Sequence, residues 1–299
     1  MQKTDYIWYN GKLVEWDKAT THVLTHTLHY GGGAFEGIRF YKTANGPAIF
    51  KLKEHVDRLF YSANALAMEV PFTHQEVSDA IIETVRVNKL DQGYIRPLVY
   101  FGYGIMGVNP NGAPVDLIVA CWPWGAYLPH DMVDIKTTKY IRVHPKSTIA
   151  DAKLCGHYLN GILASIEIRG THYHEALFLD ADGKIAEGAG ENFFIIKDGT
   201  MYTPSLGKIL AGITRDTIMG IAKENNIKVI EKSLTLEDAY AADEAFFTGT
   251  AAEVTPIKSI DDKVIGSGKQ GPVTTICKDT YHKIIRGEVA EYNSSLTYM

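Results

Sequence analysis

Only three cysteines occur among the 299 residues: Cys121, Cys155 and Cys277. They are odd in number, far apart and without paired metal-type spacing. Neither a disulfide framework nor a zinc site is expected, and a reducing cytosol fits best. A basic excess is also missing. Thirty Lys and Arg face 35 Asp and Glu, which leaves a net charge of −5. No run of Lys or Arg could track the phosphates of a strand, so no nucleic-acid partner is expected. No window approaches about 18 uninterrupted apolar residues, so no membrane span is expected. The first residues have no apolar stretch behind their charge, which excludes a secretory signal there. Internal repeats and low-complexity tracts are absent. So are a G-x-G-x-x-G fingerprint after the first strand and a G-x-S-x-G elbow, which argues against a dinucleotide enzyme and a common type of hydrolase.

What remains is the composition of a soluble globular enzyme, 45% hydrophobic and 22% charged. The length exceeds what one core comfortably fills, so two domains are expected. Residues 6–16 read as a hairpin around Asn10-Gly11. A glycine-rich stretch at 31–33 is followed by short strands near 37–41 and 48–52. Residues 53–67 and 74–89 carry apolar positions at helical spacing. Strands at 94–103 and 115–124 close a first half, residues 1–124. The stretch 125–134 reads as a connection, and 135–299 as the second half. There, strands are expected at 135–143, 176–180, 185–187, 192–197, 201–203, 228–232, 244–248 and 254–259. Helices are expected at 159–169, 214–226 and 272–286. Frequent hairpins and a surplus of strands point to an α+β chain, two domains with mixed sheets, not an alternating βαβ fold.

Five short segments could carry chemistry. Lys153 sits among small and apolar residues before an apolar helix, where desolvation would favour a neutral, nucleophilic amine. It could equally be a solvated loop lysine. Glu187 and Glu191 lie among small residues that would let a flat ligand approach the backbone. A buried acid there would need a cationic partner such as a protonated ring nitrogen, and solvated acids at a hairpin end are the plainer alternative. Gly212-Ile213-Thr214 precedes a helix whose free amides could take a phosphate, or Thr214 could simply cap it. The turn after Thr248, with Gly249, Thr250 and Ala251, could hold a phosphate or carboxylate. Tyr94 and Arg96 share one strand face and could clamp a carboxylate, unless Pro97 marks an exposed edge strand. His26 with His29, and His172 with His174, lack further ligands at matching spacing, so packing or hydrogen-bonding roles are expected and no metal.

Taken in order, these segments resemble the branched-chain aminotransferase family, fold-type IV pyridoxal-phosphate enzymes. The resemblance runs from about residue 6 to 287. It rests on His29-Tyr30-Gly31, Phe35-Glu36-Gly37-Ile38-Arg39, Tyr94-Ile95-Arg96-Pro97, Met106-Gly107-Val108-Asn109-Pro110, Ala152-Lys153, Glu187-Gly188-Ala189-Gly190-Glu191-Asn192, Gly212-Ile213-Thr214-Arg215 and Gly249-Thr250-Ala251-Ala252-Glu253. It implies a smaller α/β sandwich domain and a larger pseudo-barrel domain that carries the cofactor lysine. It also implies pyridoxal 5′-phosphate held by Lys153, with Glu187 facing the pyridine nitrogen and Tyr158 on the 3′ oxygen. Arg58, Gly212, Ile213, Thr214 and Thr250 would hold the phosphate. Thr250, Ala251 and Tyr94 resemble the group that holds the α-carboxylate. Arg96, Tyr30 and Tyr127 resemble the group for the second carboxylate of glutamate. Phe35, Trp124 and Val108 resemble the walls of the aliphatic pocket. In the family, segments like those of Val108 and Tyr127 come from the neighbouring subunit, which implies a homodimer. The implied reaction is ping-pong transamination of L-leucine, L-isoleucine or L-valine with 2-oxoglutarate, in the cytoplasm.

Cys155 and His157 depart from the pattern, as does the small-residue run 31–34, expected to widen the pocket entrance. D-amino acid and R-amine transaminases and aminodeoxychorismate lyases would share the lysine, the glutamate and the phosphate cup. Tyr94 with Arg96, residues 106–110 and residues 124–127 favour the branched-chain type. A binding protein that had lost catalysis is the alternative of another class, and the presence of both Lys153 and Glu187 argues against it.

Overall fold

A computed structural model describes residues 2–125, 127–128 and 130–299. Met1, Ala126 and Pro129 lie outside the described residues, the last two within the expected connection. Contacts divide the chain into two compact units, and the division is discontinuous in sequence. The first unit comprises Met1–Gly125, Ala152–Gly156 and Ile284–Met299, and the second comprises Ala126–Asp151 and His157–Lys283.

The first unit begins with strands β1 (Tyr6–Tyr9) and β2 (Lys12–Glu15). Asn10 and Gly11 join them with φ of 45° and 86°, the left-handed pair that a two-residue hairpin requires. Then come helix α1 (His26–Tyr30), β3 (Gly33–Phe35), β4 (Ile38–Thr43), β5 (Gly46–Phe50), helices α2 (Leu52–Asn64) and α3 (His74–Val87), β6 (Gly93–Phe101) and β7 (Val115–Trp122). Every strand pairing in this sheet is antiparallel. Buried Leu52, Val56, Leu59 and Ala63 of α2, and Val77, Ala80, Ile81 and Val85 of α3, pack with Ile38, Ile95 and Leu117 from the strands. Their spacing of three and four is the helical stripe read from sequence. Thr73 caps α3 in a reciprocal box with Glu76.

Within this sheet β6 is central. It pairs with β7 along one side and with β4 and then β3 along the other. Pro97 has no N–H to give, and it falls where β6 changes partner from β4 to β3. Its carbonyl accepts from Glu36 N–H at 3.0 Å. The exposed-edge reading of Tyr94 and Arg96 is therefore excluded.

The second unit contains β8 (Val133–Ile141), α4 (Tyr158–Glu167), β9 (Glu175–Leu179), β10 (Ile185–Gly188), β11 (Asn192–Lys197) and β12 (Thr200–Thr203). It continues through α5 (Ile213–Glu224), β13 (Val229–Glu231), α6 (Leu236–Tyr240), β14 (Glu244–Gly249), β15 (Glu253–Ile260), β16 (Lys263–Val264) and α7 (Pro272–Ile285). The sheet runs β10-β9-β8-β15-β14-β11, and a further β10–β11 pairing closes that run into a barrel. It is mixed, since β8 runs parallel to both β9 and β15. Alternation sorts the aromatic residues. Phe193 meets Phe247 edge-on within the core cluster that holds Ile135, Leu177 and Ile257. Phe194 stacks on Phe246 with centroids 5.0 Å apart on the other face. No helix among the described residues is long and apolar enough to cross a membrane.

Two segments amend the expected division at 124 and 135. Lys153, expected in the second domain, belongs with the first unit, because Ala34 bridges to Leu154 beside β3. The chain end also returns there, as β17 (Leu296–Tyr298) pairs with β5. Both pairings join residues far apart in sequence, so local patterning carried no signal for them.

Glu175 opens β9 and is buried. Burial pushes its carboxyl up to about 7, against the opposing pull of the Ala176 N–H. A folded pKa above the ordinary value near 4.5 means that the folded chain holds the proton more tightly. Stability is therefore full below the unfolded pKa and is lost as pH rises through about 7. Glu175→Gln keeps the neutral shape. Thermal melting should show it stabilised at pH 8 by about 2–3 kcal/mol and unchanged near pH 4.5. An equal shift at both pH values would rule out this cause.

Candidate active site

In the first unit the lysine segment lies against β3 like an added strand. Phe35 N–H donates to the Lys153 carbonyl at 3.1 Å. Lys153 N–H donates to Ser62 Oγ on α2 at 2.9 Å. The glycine run makes this approach possible. A Cβ on Gly33 would stand 2.9 Å from Cys155 Sγ, and one on Gly31, whose φ is +70°, would stand 3.2 Å from Gly156 Cα. Beside the expected widening of a pocket entrance, these glycines have a role that the sequence did not show: they admit the backbone that carries the lysine.

Lys153 is half-buried, with its amine 5.1 Å from the centroid of the Phe35 ring. The Arg96 guanidinium lies 4.5 Å from the same centroid. Arg96 Nη2 donates to Tyr94 Oη at 3.4 Å, so the two side chains do meet on one face of β6. Trp124 packs edge-on against Tyr94 at 4.4 Å. Gly37 leaves room for that tyrosine, since a Cβ there would fall 1.8 Å from its hydroxyl. Cys155 is near enough for the Arg96 charge to act on it. Burial pushes its thiol up and Arg96 opposes the shift.

Arg58, on α2, meets a residue to which the sequence reading gave no role. Its Nε donates to Glu36 Oε1 at 2.6 Å and its Nη2 to Oε2 at 2.9 Å. His55 Nδ1 hydrogen-bonds the same carboxylate at 2.7 Å, and Gly37 N–H donates to it at 3.2 Å. Burial opposes ionisation of Glu36, but Arg58 and His55 outweigh it and hold the carboxyl well below its usual range. Burial lowers His55, against the pull of Glu36. The sequence shows an acid at the end of an apolar strand and a histidine one helical turn before Arg58, but nothing local says that they meet.

Tyr30 and Val108 are exposed and joined through one residue. Gly107 N–H donates to Tyr30 Oη at 3.2 Å, and its carbonyl lies 2.8 Å from His26 Nε2. His26 is thus a packed, hydrogen-bonded histidine, as expected. Tyr127, in the second unit, is exposed.

In the second unit Glu187 lies on β10, paired with Asn192 of β11. It is buried, as is Glu191, so the solvated-acid alternative fails. Arg142, just beyond β8, forms an ion pair with Glu187 Oε1 through Nε and donates to the Ala150 carbonyl at 3.1 Å through Nη2. Asn192 Nδ2 and Leu210 N–H each donate to Glu187 Oε2 at 3.1 Å. Arg142 and Asn192 are further residues at this acid to which the sequence reading gave no role. A Cβ on Gly212 would stand 1.9 Å from Asn192 Oδ1, and one on Gly249 would stand 3.2 Å from the Gly190 carbonyl. Thr248 is opposite Asn192 in the β11–β14 register, which puts both side chains on one face. Its buried hydroxyl has no hydrogen-bond partner among the described residues.

Helix α5 starts after Gly212, which has no side chain to cap it. Thr214 lies inside the first turn, so the capping alternative also fails. Buried Arg215 pairs with Glu231 at 2.7 Å, a structural role. Thr250 and Ala251 are half-buried in the turn between β14 and β15. Tyr158 is half-buried at the first position of α4, next to His157, whose Nε2 lies 2.6 Å from Thr148 Oγ1.

Comparison with known proteins follows the same lines. The family described as amino-transferase class IV matches residues 33–260. A branched-chain-amino-acid aminotransferase of Pseudomonas aeruginosa is 47% identical over 286 residues, covering 94% of this chain and 93% of its own. One from Escherichia coli K12 is 42% identical over 296 residues, covering 97% and 96%. Among solved structures, the T.th. branched-chain amino acid aminotransferase complexed with N-(5′-phosphopyridoxyl)-L-glutamate has a TM-score of 0.97 and 44% identity, over 100% of this chain and 99% of that one. With the match spanning most of its length and relatives this similar at both ends, the chain belongs to the class IV aminotransferase family.

Proposed function

We propose that the chain catalyses reversible ping-pong transfer of the amino group between L-leucine, L-isoleucine or L-valine and 2-oxoglutarate, with pyridoxal 5′-phosphate as cofactor. The observation that carries this reading is buried Glu187, held by Arg142, Asn192 and Leu210. A carboxylate offers about four acceptor positions, so three named donors leave room for a pyridinium N–H. The rest of the donor set fits the same group. Gly212 leaves the start of α5 uncapped for a phosphate, Thr248 holds a buried hydroxyl without a partner among the described residues, and Gly212 and Gly249 line a cradle that a Cβ would fill. The phosphopyridoxyl-glutamate complex of the T.th. relative supports both cofactor and second substrate.

When bound, the cofactor supplies an electron sink for negative charge at the substrate α-carbon. Lys153 holds it and carries the proton between that carbon and the cofactor's C4′. Glu187 keeps the ring nitrogen protonated, and Tyr158 donates to the 3′ oxygen. Arg58, the amides of Ile213 and Thr214, and Thr250 bind the phosphate. Tyr94, Thr250 and Ala251 take the α-carboxylate. Arg96, Tyr30 and Tyr127 take the second carboxylate of glutamate, while Phe35, Trp124 and Val108 wall the aliphatic side chain. Apolar walls coexist with a cation because Arg96 rests on the Phe35 ring, a partner that remains when leucine replaces glutamate. The active unit is a cytoplasmic homodimer in which exposed Val108 and Tyr127 serve the neighbouring subunit.

Mixing the cofactor-loaded protein with L-leucine alone tests the reading. The visible cofactor band should disappear and return on adding 2-oxoglutarate. Bleaching by D-alanine and not by L-leucine would overturn the substrate assignment.

A further inference from the structure

Glu36 has no part in the reaction just described, yet it is fully buried and its carboxylate is fully engaged. Arg58 Nε, Arg58 Nη2, His55 Nδ1 and Gly37 N–H all converge on it. Four donors fill the acceptor positions that a carboxylate offers. Its backbone is fixed as well, since Glu36 N–H donates to the Pro97 carbonyl of central strand β6.

The side-chain donors come from one stripe of α2. His55, Arg58 and Ser62 are spaced by three and four residues, which puts them on one helical face. Ser62 accepts from the Lys153 N–H. The adjoining stripe, Leu52, Val56, Leu59 and Ala63, is anchored in the core. The helix therefore cannot turn without uncovering its apolar face. Two of the three guanidinium nitrogens of Arg58 are bound side-on by the carboxylate, which fixes the plane of the group. A long side chain free to rotate would instead be ordered by its ligand, at a cost in affinity.

We propose that Glu36, buttressed by His55, is a positioning residue that fixes Arg58 for recognition of a phosphate monoester. This rests on the reading that Arg58 meets the cofactor phosphate. Glu36 would then set affinity for the phosphate of the cofactor and leave affinity for its ring unchanged.

Apoprotein titrated with pyridoxal phosphate and with pyridoxal, followed by absorbance, separates these two. In Glu36→Gln the preference for the phosphorylated ligand should fall roughly tenfold, with pyridoxal binding unchanged. Glu36→Asp, which keeps the charge but shortens the reach, should show a smaller loss of the same kind, and it decides the matter if Glu36→Gln does not fold. In an Arg58→Met background the Glu36→Gln change should have no further effect, because both act on one contact. An unchanged preference in the folded single variant, an equal loss for both ligands, or a full effect persisting without Arg58 would each overturn the proposal. Should Arg58→Met alone leave the preference at the wild-type value, the assignment of Arg58 to the phosphate fails first, and visibly so.

Discussion

Lys153→Ala is expected to lower turnover by roughly 10⁴-fold or more while the fold stays intact. One amine is assigned two tasks, attachment of the cofactor and movement of the proton, and general acid–base catalysis alone contributes about 10²–10⁴. The fold should survive because the segment is held by its backbone. Lys153 N–H bonds Ser62 and the Lys153 carbonyl bonds Phe35, and alanine retains both. Melting of the variant should match wild type closely, and single-turnover rates with L-leucine should carry the whole loss. Partial recovery on adding a small primary amine would mark the proton task. A variant that turns over at the wild-type rate would end the mechanistic assignment.

Glu187→Gln should produce the second largest effect, a fall in turnover of roughly 10²- to 10³-fold. Glutamine has nearly the same shape and still accepts from Asn192 or Leu210. It has no negative charge with which to hold a proton on a ring nitrogen. It also leaves the Arg142 guanidinium, only 12% exposed, without its counter-ion. That part of the effect is structural, and removing one partner of a buried pair costs about 3–5 kcal/mol. A double variant separates the two parts. Arg142→Met with Glu187→Gln removes the orphaned charge, so melting should recover toward wild type while turnover stays low. Recovery of turnover along with melting would show that Glu187 acts only on stability.

The sequence carried local structure well. The Asn10-Gly11 hairpin and the stripes of α2 and α3 stand where turn chemistry and periodicity put them, to within a few residues. Short elements such as α1, β3 and α6 escaped, being too brief to establish a period. The pairing of Ala34 with Leu154 escaped for another reason. It depends on two segments about 120 residues apart in sequence, and nothing in either one specifies the other. The glycines of residues 31–33 were visible as an anomaly, but their purpose becomes clear only with the neighbour they admit. In the site, Lys153 could not be told from a solvated lysine by its surroundings. Its significance came from the order of several motifs together. Glu36 and Arg142 show the converse. Each is an ordinary charged residue in sequence, and each gains a role only from a partner brought in by tertiary pairing.

The return of the chain end to β5 sets an order of assembly. A ribosome releases β5 some 245 residues before its outer neighbour, β17. Until synthesis is nearly finished, that side of the first sheet presents unpaired backbone groups, the kind of edge that recruits other strands. The lysine segment likewise arrives only after about half the chain has been made, so β3 also waits for a neighbour. The first unit is the earliest to begin and the last to close, and a chain stopped after residue 283 would carry the lysine with an open edge on the sheet that receives it.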